Sequence, residues 1–167
     1  MCEVRFIEGD ILDFECDIIC HQVNCQGVMG SGLAFQVKNK YPNVFTEYKK
    51  LCKNEMNLKP LGCCQLVEVN SDKHKYVANL FGQDYYGRDG KQYTDYDALN
   101  TAIQTLKQEC EGLNSLYQGK MSDDYISIAF PYMIGCGLGG GDWNVVYDII
   151  CQAFKNKKRY KIYIIRK

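Results

Sequence analysis

Gly27-Val28-Met29-Gly30-Ser31-Gly32 and Gly135-Cys136-Gly137-Leu138-Gly139-Gly140-Gly141, set toward opposite ends of a 167-residue chain, hold eight of its 15 glycines. Each loop follows a short apolar run that reads as a strand and precedes apolar residues at helical spacing. A glycine lets backbone N–H groups approach a ligand with no Cβ in the way. Several such amides at a helix N-terminus make an anion site, for phosphate above all. Two such loops from distant parts of one chain predict a diphosphate held from both sides. Strand, loop and helix in that order also decide the fold class, α/β, with a ligand crevice at strand ends.

The rest of the chain keeps this alternation. Val4 to Glu8 reads as a strand of alternating faces that ends at Gly9-Asp10, and Asp17 to Val23 is a second strand running into Asn24. Leu33, Ala34, Val37 and Tyr41 predict a helix from Ser31, which Pro42 interrupts before Val44, Phe45, Tyr48 and Leu51 resume a second. Cys64 to Val69 and Lys75 to Phe81 pair as strands across the turn Asn70-Ser71-Asp72. Residues 82–94 are polar, with Gly82, Gly87 and Gly90, and a loop of that length in a compact domain marks function. Asp95 caps a helix whose apolar face is Leu99, Ala102, Ile103, Leu106 and Cys110, and 112–124 reads as a loop-like insertion. Tyr125 to Phe130 is a buried strand that delivers the second glycine loop. Asp142 then caps a helix carrying Val145, Val146, Ile149, Ile150 and Phe154, and Lys161 to Ile165 closes a sheet with helices on both faces.

Length and composition narrow the class to one domain, 1–167, with a genuine core. Twenty basic residues balance twenty acidic ones, so no net field draws unmodified nucleic acid or anionic membrane. No signal peptide, membrane span or lipidation motif is visible, so the expectation is a soluble, cytoplasmic monomer. Ten cysteines contain no C-x-x-C pair, which argues for buried free thiols at Cys20, Cys63, Cys64, Cys110 and Cys151 rather than a metal site. Cys25 and Cys136 lie in or beside the glycine loops. A thiolate at Cys25 needs a base such as His21, whereas a small side chain in a tight loop needs none.

Neither glycine run is a Walker A loop, because no Gly-Lys-Ser/Thr follows it. Nor does Gly137-Leu138-Gly139-Gly140-Gly141 place its glycines as a dinucleotide fingerprint does. The cradle is for phosphate, without the kinase or dehydrogenase apparatus, and no cofactor is expected.

Glu8-Gly9-Asp10-Ile11-Leu12, Val23 through Ala34 and Pro131 through Trp143 together resemble a macrodomain, the ADP-ribose-binding module, over essentially the whole chain. The resemblance is to the branch of terminal ADP-ribose protein glycohydrolases, macrodomain antitoxins and fungal ADP-ribose 1″-phosphate phosphatases. It implies a three-layer α/β/α sandwich with a mixed central sheet. It also implies that Asp10 accepts the adenine amine, that the Ile11 amide meets the ring and that Asn24 bonds the distal ribose. Gly27, Val28, Met29, Gly30, Ser31 and Gly32 would wrap the diphosphate and distal ribose together with Ile134, Gly135, Cys136, Gly137, Leu138 and Gly139.

For the chemistry, the glycohydrolase branch uses a lysine at the end of the strand before the long loop and an acid in the second glycine loop. Here Ala78-Asn79-Leu80-Phe81-Gly82-Gln83 holds no lysine, and Gly139 stands at the acid's position. His21 resembles a histidine of the phosphatase group and is a candidate general base. Asp142, the carboxylate next to the second loop, is the other catalytic candidate. From the residues alone each has a plainer account: Asp10 as a turn or cap, Asn24 as a turn residue, His21 as a histidine satisfied within a strand, Asp142 as an N-cap. Arg88 and Lys91 either reach a substrate or are solvated. The expected partner is ADP-ribose or an ADP-ribosylated macromolecule. The activity is hydrolysis of a 1″ linkage, with 1″-phosphate removal or binding without chemistry as alternatives.

Overall fold

Pro42 stands in the first turn of its helix, where its missing N–H costs nothing, and it holds the preceding Tyr41 out of helical geometry (φ −128°, ψ 76°). One apolar stretch thereby becomes two helices. The computed structural model describes residues 3–116 and 125–167. In chain order the elements are β1 Val4–Glu8, β2 Ile18–Gln22, α1 Gly32–Lys40, α2 Pro42–Cys52, β3 Cys64–Asn70, β4 Lys75–Leu80, α3 Tyr96–Leu116, β5 Ile126–Pro131, α4 Trp143–Ala153 and β6 Tyr160–Arg166, with a 3₁₀ turn over Ile11–Asp13.

The strands form one sheet in the order β1-β6-β5-β2-β4-β3. All neighbours run parallel except the β3–β4 hairpin, so the sheet is mixed. Because side chains alternate along a strand, β2 sends Ile18 and Cys20 into one core with Leu99, Ile103, Val146 and Ile150, and Ile19 into the other with Val37, Val44 and Tyr48. Helices α3 and α4 thus cover one face and α1 and α2 the other, giving the expected three layers. The parallel strands β2 and β5 both end beneath the glycine loops, and that common edge positions the site.

Three local expectations are corrected. The helix after Asp95 does not stop at Gly112 but runs to Leu116. A glycine inside a helix costs about 1 kcal/mol, and Leu113 beyond it packs on the α3–α4 core, which is worth more than that when a leucine is well buried. Residues 117–124 of the expected insertion lie outside the described residues. Cys63 is exposed rather than buried, since it precedes β3. The edge strand β1 alternates its faces but not its burial: Val4 and Ile7 pack partly on opposite cores, while Phe6 is exposed and lies against Tyr147, ring centroids 5.8 Å apart. The nine described cysteines are unpaired, and no helix among the described residues is long and apolar enough to cross a membrane.

Candidate functional site

A cleft of about 660 Å³ opens at the ends of β2 and β5, between the two glycine loops. That lies within the size range of small-molecule sites. One wall comes from Asn24, Val28, Gly30, Ser31 and Gly32, the other from Ile134, Gly135, Gly137, Leu138 and Gly139, with His21 between them. Its lining contains no carboxylate and no lysine, and Arg88 is the one full cation among those residues.

The first wall is stitched by Tyr48. Its buried hydroxyl donates to Asn24 Oδ1 at 2.7 Å and accepts from the Val28 amide at 3.1 Å. Asn24 Oδ1 also takes the Gln26 amide at 2.9 Å, and Nδ2 gives one hydrogen to the Val28 carbonyl at 2.8 Å. The second Nδ2 hydrogen has no such use within the loop, and Asn24 lines the cleft. Gly32 (φ +59°) then turns the chain into α1 in a conformation that side-chain-bearing residues rarely adopt.

Helices α1 and α2 both start without a side-chain cap, α2 with Pro42 in its first turn and α1 with no proline there, whereas α3 and α4 are capped. Asp95 Oδ1 accepts the Ala98 amide at 3.0 Å and Asp142 Oδ1 the Asn144 amide at 2.9 Å, so α3 and α4 are capped. Ser31, at the N-cap of α1, makes no side-chain capping bond. The first N–H groups of a helix need partners, and these lie at Ser31 to Ala34 in the cleft wall. An uncapped N-terminus with its positive dipole end facing a cavity suits an oxyanion.

The second wall is held by the long loop. Gly139 O accepts from the amides of Tyr93 and Thr94 at 2.7 and 2.9 Å, and Thr94 Oγ1 donates to Gly135 O at 2.7 Å. On the opposite side the Cys25 amide donates to Asp84 O at 2.9 Å. Residues 82–94 therefore tie the two glycine loops together. A Cβ on Gly139 would lie 2.7 Å from both Gly135 O and Thr94 Oγ1, so this site has no room for an acid at that position.

His21 is 1% exposed, with Nε2 2.5 Å from Asn79 Oδ1 and Nδ1 without a protein partner. Burial drives its pKa down to about 4 against the opposing pull of the Asn79 contact, so the ring is neutral at neutral pH. It does not serve Cys25, whose thiol donates to Gln83 O at 3.5 Å and is pushed up to about 12, mainly by burial.

Six of the expected site residues do not line the cleft. Gly27, Met29 and Cys136 support the loops from behind; Met29 is buried and the Cys136 thiol donates to Ile134 O at 3.3 Å. Asp10 and Ile11 belong to the 3₁₀ turn region that packs on β5: Ile11 starts the turn and Asp10 caps it by accepting the Leu12 amide at 3.0 Å. That bond, and then the Lys167 ammonium at 3.1 Å, hold the Asp10 carboxyl below its usual range. Asp142 is exposed, with its carboxylate on the α4 cap and its own amide donated to the Tyr96 hydroxyl at 2.9 Å. Lys91 pairs with Asp89 at 3.6 Å. Conversely, Gln22, Gln83, Tyr86, Tyr132 and Met133 line the cleft without having been singled out. The signal for Tyr86 was the length of its loop; for Gln22 there was only its place at the end of a strand.

The Macro domain family model matches residues 20–150. A DNA ADP-ribosyl glycohydrolase of Mycobacterium tuberculosis is 29% identical over 154 residues, covering 91% of this chain and 39% of that protein. The chain thus spans well under half the length of that relative. An ADP-ribose 1″-phosphate phosphatase of Debaryomyces hansenii is 26% identical over 188 residues, covering 97% of this chain and 99% of that one. Among solved structures, the macrodomain of Mycobacterium tuberculosis DarG superposes with a TM-score of 0.78 at 26% identity, covering 99% of this chain and 98% of that one.

Proposed function

Because the chain belongs to the Macro domain family, we propose that its cleft binds ADP-ribose and hydrolyses linkages at the 1″ carbon of the distal ribose. The observation that carries this reading is the uncapped start of α1, facing a cleft that both glycine loops wall and no carboxylate lines. A diphosphate is the ligand that such a surface stabilises. Asp10 and the Ile11 amide take adenine, while Asn24 Nδ2 and the loop around Gly137 hold the distal ribose. Water adds its oxygen to C1″ as the bond to the leaving atom breaks, and its proton ends on that atom. The products are ADP-ribose and the freed acceptor. His21, neutral, orients that water. The unpaired thiols fit work in a reducing, cytoplasmic compartment.

Calorimetry is expected to show ADP-ribose bound more tightly than AMP, which cannot engage both loops. Equal affinities overturn the two-sided cradle. Asp10→Ala is expected to weaken ADP-ribose by ~1–3 kcal/mol, the usual loss for a hydrogen bond to a charged group. Turnover is read by incubating the protein with ADP-ribosylated protein, ADP-ribosylated DNA and ADP-ribose 1″-phosphate and measuring free ADP-ribose and phosphate. No release from any of the three leaves a binding module. The 1″-phosphate is included because His21 lines the cleft and the fungal phosphatase matches end to end.

Asp142 belongs in this proposal as a structural cap. Asp142→Asn is expected to retain both melting temperature and turnover, since Asn caps about as well as Asp, while Asp142→Ala loses ~1 kcal/mol of stability. A stable Asp142→Asn protein with abolished turnover would return the carboxylate to the reaction.

A further inference from the structure

Three strands carry one polar residue each at the same level of an otherwise apolar sheet face. His21 on β2 pairs in register with Asn79 on β4, and Asn79 with Gln65 on β3. The neighbouring residues on that face, Ile19, Val77 and Val67 on one side and Val23 and Phe81 on the other, are buried and apolar. The polar row is continuous: Gln65 Nε2 donates to the Glu47 carbonyl at 3.0 Å, Asn79 Nδ2 donates to Gln65 Oε1 at 3.0 Å, and His21 Nε2 lies 2.5 Å from Asn79 Oδ1.

This row has a direction, and a backbone carbonyl sets it. Glu47 O can only accept, so Gln65 must present its NH₂ there and its oxygen to Asn79. Gln65 Oε1 then requires the Asn79 NH₂, which turns Asn79 Oδ1 toward the imidazole. An amide oxygen offers no proton, so His21 Nε2 must carry one. A neutral ring with Nε2–H has its lone pair on Nδ1, a buried nitrogen with no hydrogen-bond partner among the described residues, in a residue that lines the cleft.

We propose that Asn79, oriented by Gln65 and the Glu47 carbonyl, is a positioning residue that locks His21 in the Nε2–H tautomer and presents Nδ1 as a hydrogen-bond acceptor to the bound ligand or its attacking water. The proposal rests on the ADP-ribose reading only for what Nδ1 meets; the tautomer itself follows from the row. A histidine locked this way accepts a hydrogen bond from a hydroxyl or water at all pH values where the ring is neutral. In the opposite tautomer Nδ1–H would donate to that same oxygen and occupy one of its lone pairs, while the bare Nε2 would face the Asn79 oxygen lone pair to lone pair.

The test is nitrogen-15 NMR of the full chain labelled at histidine. Only His21 and His74 report, and His21→Gln assigns them. Wild-type His21 is expected to show a protonated Nε2 and a lone-pair Nδ1, with the Nδ1 resonance shifting when ADP-ribose is added. Asn79→Leu and, separately, Gln65→Leu are expected to convert the single tautomer into a mixture, to lower turnover at least tenfold and to change ADP-ribose affinity less than twofold. Gln65 is partly exposed near the sheet edge, so its variant keeps the test open if Asn79→Leu fails to fold. A wild-type Nδ1–H tautomer, or an unchanged tautomer in folded variants, overturns the positioning role. An Nδ1 resonance indifferent to bound ADP-ribose overturns the contact. Absence of ADP-ribose binding with the Nε2–H tautomer intact overturns the functional reading while upholding the lock.

Discussion

Gly137→Val is expected to leave the fold intact and to abolish usable ADP-ribose affinity, with a loss of at least ~100-fold, or about 2.7 kcal/mol. Gly137 is exposed, lines the cleft, and a Cβ built on it meets nothing within 4 Å. Its φ is not in the left-handed region, so valine brings no backbone strain. The added methyl groups enter open cleft space, which in the proposed reading the ligand fills. Surface changes of this kind stay within ~0.5 kcal/mol, which for a domain of this size shifts melting by only about 1–2 °C. Gly140 supplies the contrast. It has φ +71°, and a Cβ there collides with the Lys91 carbonyl, in the long loop that clamps this wall. Gly140→Val is therefore expected to lose roughly 2–4 kcal/mol of stability through strain and overpacking. Melting curves and calorimetry on the two variants separate the roles. If Gly137→Val melts as low as Gly140→Val, the glycine serves packing; if it binds ADP-ribose normally, the second loop does not face the ligand.

The sheet with its two helical layers was legible because each element states its own period. Leu99, Ala102, Ile103, Leu106 and Cys110 recur at helical spacing and are all fully buried. The glycine loops were legible because their composition is unusual and their context repeats. Composition did not reveal how the walls are braced. Tyr48 reads as one more apolar helix position, yet its hydroxyl fastens Asn24 and Val28. Asn79 lies in a run that reads as buried strand, and only the register of β2, β4 and β3 brings it between His21 and Gln65. Long-range pairing of single polar residues leaves no periodic trace, so the bracing had to come from coordinates. Asp142 shows the opposite case. Its place beside a glycine loop suggested chemistry, but a carboxylate just before a helix has a local partner in the second backbone amide of that helix, Asn144 N, and the structure shows that local bond.

Lowering the pH from 7 toward 4 is expected to destabilise the protein by ~3 kcal/mol through His21 alone, and His21→Gln is expected to remove that dependence. The ring is fully buried, its one hydrogen-bonded neighbour among the described residues is the neutral Asn79, and burial lowers its pKa from 6.5 to about 4. The unfolded chain therefore takes up a proton near pH 6.5 that the native state refuses until near pH 4. Stability from this group is complete above pH 6.5 and is lost progressively as pH falls to about 4, at up to ~1.4 kcal/mol per unit. The lowered carboxyl of Asp10 contributes in a separate window, below its ordinary 3.8, and is common to both proteins. Glutamine keeps an N–H for Asn79 Oδ1 but does not titrate, so the difference between the two proteins isolates His21. Urea unfolding at pH 7, 6, 5 and 4 gives that difference directly. Parallel curves for parent and His21→Gln would mean that the native ring takes up its proton as the unfolded chain does, and a charged imidazolium cannot hold out a lone pair. A difference that opens between pH 6.5 and 4 instead fixes the native ring as neutral. Turnover should then be level from pH 5 to 8 if His21 orients the water as proposed, because a ring that titrates near 4 stays neutral across that range.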